Sequence, residues 1–167
     1  MSEQSREPVR DVGRSADEVG RARELALLVA CHLESYEGAE RANALELAFE
    51  TGVSSVGVED SAGARIGELA SEATVRRVAR RRLERLVADW SEVDATIESV
   101  SDKWRLDRMH HVERNLIRLA LVELQHENTK TAVLNSESVR LANRYGSETA
   151  SRFVNGIVDA LAGHVRG

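Results

Sequence analysis

Apolar residues recur at helical spacing over most of the chain, and the first third contains two such segments. Between residues 19 and 36 they fall three or four positions apart, among them Leu25, Leu28 and Val29, which predicts an amphipathic helix. A weaker pattern of the same kind covers residues 40–50. The next stretch, TGVSSVGVEDSAGAR at 51–65, clusters glycine and serine around scattered valines and predicts a long loop.

The apolar pattern strengthens from Ile66 and continues almost to the end of the chain. A stripe on one helix face runs as far as Trp90. In the segment 109–124, apolar residues cover most of the circumference, which predicts a central, nearly buried helix. Two more helices follow, with Gly146 predicted to end the first in the left-handed conformation and Ser147 predicted to cap the second. No strand-like alternation of useful length occurs, so we expect an all-α fold of about seven helices around one core.

The chain is predicted to have one domain preceded by a polar segment. Its 167 residues suit a single core. Residues 1–18 contain the only proline, Pro8, and lack apolar periodicity, so we expect a flexible tail ahead of a helical domain at 19–167. No apolar run approaches the roughly 20 residues that span a bilayer, and the opening lacks the apolar centre of a secretion signal. With a single cysteine, Cys31, the protein is expected to be cytoplasmic and to make no membrane contact.

Arginines concentrate in one helix of a chain whose formal net charge is −5. The stretch VRRVARRRLERL at 75–86 holds six of them. Arg77, Arg81 and Arg85 are spaced four apart and therefore line one ridge of the helix. Like charges at this spacing repel each other mildly, so the ridge favours an anionic partner. The acidic segment 37–74 of the same chain is the favoured partner, and RNA is the alternative.

Neither catalysis nor metal binding is favoured by the spacing of reactive residues. His110 and His111 are adjacent, so on a helix they point about 100° apart, whereas zinc-binding histidines on a helix are usually four apart. Cys31 and His32 have the same unsuitable spacing for a catalytic pair. No glycine-rich phosphate loop follows a strand. We therefore expect no enzyme activity, no metal and no cofactor.

A family resemblance is carried by three blocks in the second half of the chain. They are WRLDRMHHVERNLIRLALVEL at 104–124, SESVRLANRYG at 136–146 and SRFVNGIVDAL at 151–161. Together with GRARELALLVACHLE at 20–34, they resemble the NusB family of bacterial transcription antitermination factors. The likeness runs from about Gly20 to Ala162, and the order and spacing of the blocks make it more specific than any single block.

The resemblance implies an all-helical domain of two packed halves that acts by contact and not by catalysis. NusB proteins bind the boxA element of nascent RNA together with NusE, a ribosomal protein of the small subunit. In this role they help RNA polymerase to read through terminators in ribosomal RNA operons. The expected partners are therefore boxA-like single-stranded RNA, NusE and the RNA polymerase antitermination complex. A homodimer is a further state that the family allows.

Five candidate RNA-binding residues follow from the resemblance. Arg21 and Arg23 of the opening motif are placed toward RNA phosphates, which arginine suits through its charge and its bidentate geometry. Phe153 of the Phe-Val-Asn-Gly block is either a ring for an unstacked base or ordinary core. Asn155 of the same block is expected to reach a base edge. Glu113 matches an acid at the start of the central helix, on the side of the RNA and the protein partner.

Departures from the family pattern leave a second function open. Gly20 shortens the basic run that usually precedes the opening motif, and Cys31 stands where a tyrosine is common. Fewer phosphate contacts and one missing stacking ring weaken affinity for boxA. The alternative function is therefore a diverged NusB-like protein-interaction regulator that has lost boxA binding.

Overall fold

Helices make up most of the described chain, which in this computed structural model comprises residues 16–50, 61–100 and 103–167. No strand occurs within these ranges, and a short 3₁₀ turn at Leu106–Arg108 precedes the sixth helix. The helices are α1 Ala16–Leu33, α2 Ala39–Glu50, α3 Ser61–Ala70, α4 Ala73–Ala88, α5 Trp90–Val100, α6 His111–His126, α7 Thr131–Tyr145 and α8 Ala150–Arg166. The all-α class is confirmed. None of these helices combines the length and the apolar composition that a bilayer crossing requires.

The described residues contain one helix more than the seven predicted, because the segment after Ile66 divides in two. A turn at Ser71 and Glu72 separates α3 from α4. Ser71 Oγ donates a hydrogen bond to the Glu68 carbonyl, and a serine that bonds nearby backbone in this way competes with continuation of the helix. The periodicity did not indicate the break because apolar residues lie at helical spacing on both sides of it.

The loop predicted at 51–65 is also shorter than expected. Residues 61–65 belong to α3, whose Ile66 and Leu69 are buried. The small residues of this segment resemble a loop in the sequence, but burial of this apolar pair holds them in a helix. The other part of that prediction, residues 51–60, lies outside the described residues. So do residues 1–15 of the predicted tail, and α1 already begins at Ala16.

The sixth helix is the centre of the core, as predicted. From Val112 to Leu124, every residue except Arg114 is buried, and Ile117 and Leu121 are fully enclosed. α6 contacts α1 and α4 from the first part of the chain and α5, α7 and α8 from the second. Around it, α1 packs on α2, α3 and α4, while α7 packs on α8. Two helical halves therefore meet at α6.

Gly146 ends α7 in a conformation different from the one predicted. Its φ of −92° and ψ of −174° are extended and not left-handed. Glycine is needed there because a Cβ atom would lie 2.7 Å from the Ala142 carbonyl oxygen and 2.9 Å from the Ala150 Cβ. Ser147 does not cap α8, which begins three residues later at Ala150. Its hydroxyl donates instead to Glu113 Oε1 at 2.8 Å.

Candidate nucleic-acid interface

The residues predicted to bind RNA lie near opposite ends of the central helix. Arg23 of α1 bonds to Glu123 near the end of α6, whereas Glu113 lies in the first turn of α6. Ten residues of helix separate these two glutamates, which is about 15 Å along the axis. Phe153 contacts Trp104, which lies shortly before α6 in the chain. The interface therefore has two parts that a ligand must span.

Arg23 is held in an internal network of ion pairs. Its Nε and Nη2 donate to the two carboxylate oxygens of Glu123 at 3.0 and 2.9 Å, and its side chain is only 10% exposed. Glu123 also lies 3.1 Å from Arg82 Nη2, and Arg82 donates two further hydrogen bonds to Glu127. A phosphate that contacts Arg23 must therefore compete with a carboxylate that is already in place.

Arg21 faces different surroundings from Arg23. Its Nε donates to Glu72 Oε2 at 2.9 Å, and its side chain is 35% exposed. Exposed pairs of this kind contribute about 1 kcal/mol or less, because water and salt screen them. A phosphate can thus replace Glu72 at Arg21 at little cost.

Two arginines that the sequence interpretation missed lie beside Arg21. Arg140 and Arg144 of α7 line the same open depression of about 310 Å³ as Arg21 and Arg65. Both α7 side chains are exposed. Arg140 Nη2 donates to the Gly20 carbonyl at 3.2 Å, which fixes it against the start of α1. We call Arg21, Arg65, Arg140 and Arg144 the arginine cluster.

The carboxylate of Glu24 holds two members of the arginine cluster, Arg65 and Arg144. It is buried and accepts two hydrogen bonds from Arg65 at 2.9 and 3.1 Å and one from the Tyr145 hydroxyl. Arg144 Nη1 lies 3.2 Å away. Burial alone raises the pKa of Glu24, but the hydrogen bonds from Arg65 and Tyr145 outweigh it and hold the pKa below its ordinary value. Burial and the adjacent carboxylate raise the pKa of Tyr145 to about 12, so the phenol remains a donor.

Two aromatic rings meet where the segment before α6 contacts α8. Phe153 and Trp104 pack edge to face, with centroids 5.8 Å apart and planes at 86°. Both rings are half-buried, so Phe153 combines a core contact with a partly open ring, and both interpretations of it stay open. Asn155 is exposed, and its side-chain amide forms no hydrogen bond within the described chain. We call Trp104, Phe153 and Asn155 the aromatic cluster.

Glu113 supports the backbone at the start of α6. It is buried, its Oε1 accepts the hydrogen bond from Ser147, and its Oε2 accepts one from the His110 backbone N–H at 3.4 Å. Such a bond satisfies a free N–H group at the start of a helix. In this structure Glu113 therefore joins the start of α6 to the turn before α8.

The arginine-rich face of α4 divides into two ridges with different surroundings. Arg76 donates to the Phe49 carbonyl, and Arg80 lies 2.8 Å from Glu46. Phe49 and Glu46 belong to α2, so the acidic segment 37–74 partners this ridge.

The predicted ridge of Arg77, Arg81 and Arg85 is different. None of these three arginines forms an ion pair with any residue in the described ranges. The favoured interpretation, that segment 37–74 neutralises them, is therefore wrong for the described part of that segment. Arg76 and Arg80 are the arginines that face α2. The sequence spacing alone did not show which of the two ridges would face α2.

Comparison with known proteins identifies the family of this chain. A family model described as the NusB family matches residues 21–163. The chain belongs to the NusB family. The transcription antitermination protein NusB of Anaeromyxobacter dehalogenans strain 2CP-1 is 36% identical over 132 residues, which cover 73% of this chain and 87% of that relative. The matched range begins at Arg21 and includes both clusters.

Solved structures of the NusB family share the fold. T. maritima NusB has a TM-score of 0.58 at 27% identity, covering 85% of this chain and 90% of its own. A structure of the antitermination factors NusB and NusE in complex with dsRNA gives a TM-score of 0.65 at 23% identity, covering 90% of this chain and 99% of the matched one. At that identity the second match supports the fold alone.

One departure from the NusB pattern has a clear structural result. Cys31, where the family commonly has a tyrosine, lies 3.7 Å from Asn115 Nδ2. Burial raises the pKa of its thiol to about 12. Because the thiolate is the reactive form, this raised pKa disfavours reaction of Cys31 at neutral pH. Among residues 16–50, 61–100 and 103–167, no group of three or more His, Cys, Asp or Glu side chains is placed to hold a metal ion.

Acid is expected to destabilise this NusB-family fold. For Glu24, Glu34 and Glu127, burial raises the pKa, but arginine partners outweigh it and hold the pKa below the ordinary value of 4.5. A carboxylate with a lowered folded pKa stabilises the fold above its unfolded pKa, and this contribution disappears as the pH falls through the folded pKa. We therefore expect the free energy of unfolding, measured in urea, to fall below about pH 5.

A matched pair of variants tests the cause of that acid sensitivity. Glu24→Gln removes a titrating group and is expected to lower stability at pH 7 and to flatten the fall in acid. Glu92→Gln, at an exposed position of α5, is expected to leave both unchanged. Equal stability of the wild type at pH 7 and pH 3 would contradict the role assigned to these carboxylates.

Proposed function

We propose that this NusB-family chain is an RNA-binding antitermination factor. In this proposal it binds boxA-like single-stranded RNA together with NusE, joins the RNA polymerase antitermination complex in the cytoplasm and supports transcription of ribosomal RNA. A relative 36% identical to it carries the name transcription antitermination protein, and a NusB of the same fold was solved in complex with NusE and dsRNA. The structural observation that carries the proposal is the arginine cluster, whose exposed members lie within the range matched by the family.

The arginine cluster suits phosphate binding for electrostatic reasons. Arg21, Arg140 and Arg144 converge from two helices on one depression. The buried Glu24 holds Arg65 and Arg144 from beneath, and Arg140 pairs with Glu137, so these guanidinium groups are ordered before RNA arrives. Bidentate arginine–phosphate bonds are strong and position a nucleic acid without reading its sequence.

The aromatic cluster supplies the features that base recognition needs. Single-stranded RNA is recognised through bases stacked on aromatic rings and hydrogen-bonded along their edges. Phe153 offers a partly open ring, and Asn155 offers an amide whose donors and acceptor are unused by the described residues. An extended strand that contacts both clusters would place its phosphates at the arginine cluster and its bases at the aromatic cluster.

Neutralising the arginine cluster is expected to weaken RNA binding and its salt dependence. The variant Arg21→Gln/Arg140→Gln/Arg144→Gln removes three candidate phosphate contacts. At about 0.7 released counterions per contact with single strands, the slope of log K against log salt is expected to decrease by about 2. Fluorescence anisotropy of a labelled boxA-like RNA across a salt series measures it. A triple lysine variant at the same positions keeps the charge and is expected to keep the slope. An unchanged slope in the glutamine variant would remove the cluster from the site.

A separate substitution distinguishes the two roles open to Phe153. Phe153→Leu retains apolar volume and removes the aromatic face. If the ring stacks on a base, RNA binding is expected to weaken by about 1–3 kcal/mol, while the melting temperature changes little. If the ring is only core, the variant binds RNA like the wild type, and that outcome would exclude stacking.

The alternative function is a diverged NusB-like protein-interaction regulator that has lost boxA binding. The observation that favours it is Arg23, one of the two opening-motif arginines, whose guanidinium is occupied by Glu123. Cys31 adds to it, since a half-buried thiol stands where the family commonly has a tyrosine ring. This alternative predicts no preference for boxA-like RNA over a scrambled RNA, even with NusE present.

A further inference from the structure

A second basic groove lies between α4 and the end of α6. Its volume is about 490 Å³, and it shares no lining residue with the depression at the arginine cluster. Five arginines of α4 line it, while Glu84 and Glu127 are its acidic members. The groove is therefore locally basic, although the whole chain has a net charge of −5.

The two acids of the groove are already engaged by two of the five arginines. Glu84 pairs with Arg80 at 2.9 Å, and Glu127 pairs with Arg82 at 2.8 Å. Arg80 has a second partner in α2, and Arg82 has a second partner in Glu123. The remaining arginines of the groove therefore have positive charges that no ion pair within the described residues compensates.

Those remaining arginines are Arg77, Arg81 and Arg85, which form a regular line. Arg77 and Arg81 are exposed and Arg85 is half-exposed. Successive members lie about 6 Å apart along the helix axis, so the line extends over about 12 Å. A linear array of three cations fits a ligand with repeated negative charges better than it fits a single small anion. Arg82, buried and held by two carboxylates, gives the groove a rigid floor.

We infer that this groove is a second RNA-binding surface, which holds the phosphate backbone of RNA that extends beyond the arginine cluster. The inference rests on the proposed function for its choice of ligand. The groove adjoins the opening motif, because Arg82 at its floor and Arg23 of α1 share the carboxylate of Glu123. Among the described residues, no Phe, Tyr or Trp lines it, and His126 is its one ring against five arginines, so the contact is chiefly with phosphates, which carry no base sequence. Its effect is to lengthen the bound RNA without changing which sequence is preferred.

The test compares a short and an extended RNA, and it compares a variant without the three positive charges with a variant that retains them. The variant Arg77→Gln/Arg81→Gln/Arg85→Gln removes the charge, and a triple lysine variant at the same positions keeps it. Arginine, lysine and glutamine have similar helix propensities, so α4 is expected to persist, which thermal melting checks. The RNAs are a short boxA-like RNA and the same RNA with uridine extensions at both ends, each measured by anisotropy across a salt series.

The wild type and the lysine variant are expected to bind the extended RNA more tightly than the short one. The glutamine variant is expected to lose that gain, and its salt slope on the extended RNA is expected to be smaller by about 2, for three contacts at about 0.7 each. Its binding of the short RNA is expected to match the wild type.

The other outcomes distinguish failure of this inference from failure of the proposed function. If the glutamine variant still binds the extended RNA more tightly than the short one, with the wild-type salt slope, the inference about the groove is overturned. The proposed function is not, because this result leaves the preference for boxA unaffected. Binding of polyglutamate that requires these arginines, with RNA binding unchanged, overturns it in favour of an acidic protein partner. If the wild type binds boxA-like and scrambled extended RNAs equally and the glutamine variant weakens both, the boxA function fails and the groove stands. No RNA binding by the wild type overturns both.

Discussion

Replacing Glu123 with alanine is expected to lower the free energy of unfolding by about 3–5 kcal/mol. The Glu123 side chain is 3% exposed and accepts hydrogen bonds from Arg23, and it lies 3.1 Å from Arg82. Both guanidinium groups are themselves nearly buried. Removing the carboxylate leaves Arg23 buried without its main partner and leaves Arg82 with Glu127 alone. An unpaired buried charge costs more free energy than an intact buried ion pair contributes relative to neutral residues. Urea denaturation at pH 7 measures the change.

The matched control for Glu123 is a glutamate in an exposed pair. Glu46 lies 2.8 Å from Arg80 and is 50% exposed, so Glu46→Ala is expected to cost about 1 kcal/mol or less. Glu123→Gln keeps an acceptor and is expected to fall between the two. If Glu123→Ala cost no more than Glu46→Ala, the ion-pair network between α1, α4 and α6 would not support the fold.

Truncating the core of α6 is the second large effect expected. Leu121 is fully buried, and α6 contacts both halves of the fold. Leu121→Ala is therefore expected to destabilise the protein by about 2–5 kcal/mol, through lost burial and the cavity that remains. Denaturant unfolding followed by far-UV circular dichroism measures this change.

An exposed apolar residue provides the comparison for Leu121. Val133 of α7 is 44% exposed, and Val133→Ala is expected to stay within about 0.5 kcal/mol of the wild type. Similar costs at Leu121 and Val133 would contradict the central position of α6.

The apolar pattern predicted the central helix well because the residues of that helix alone carry the pattern. The segment 109–124 has apolar residues on almost every face, and only a buried helix accommodates such a sequence. The break between α3 and α4 could not be predicted in the same way, since Ser71 lies between two segments with the same periodicity. Gly146 was correctly expected at a helix end. Its extended conformation was not predicted, because a glycine at a helix end suits the left-handed conformation equally well.

The opening motif shows how far spacing could predict the site. Arg21 and Arg23 are two residues apart, so on a helix they point about 160° apart and meet different neighbours. The resemblance assigned both to RNA, but the structure pairs Arg23 with a buried carboxylate and leaves Arg21 partly exposed. Arg140 and Arg144 were missed because their proximity to Arg21 depends on the packing of α7 on α1, about 120 residues away in the chain.

The central claim is that this NusB-family chain recognises boxA-like RNA together with NusE. Fluorescence anisotropy of a labelled boxA-like RNA and of a scrambled RNA, each at low salt with and without NusE, tests it most directly. The account predicts tighter binding of the boxA-like RNA, with a further increase in affinity when NusE is added. Equal binding of the two RNAs in the presence of NusE would contradict the account and would favour the protein-interaction regulator.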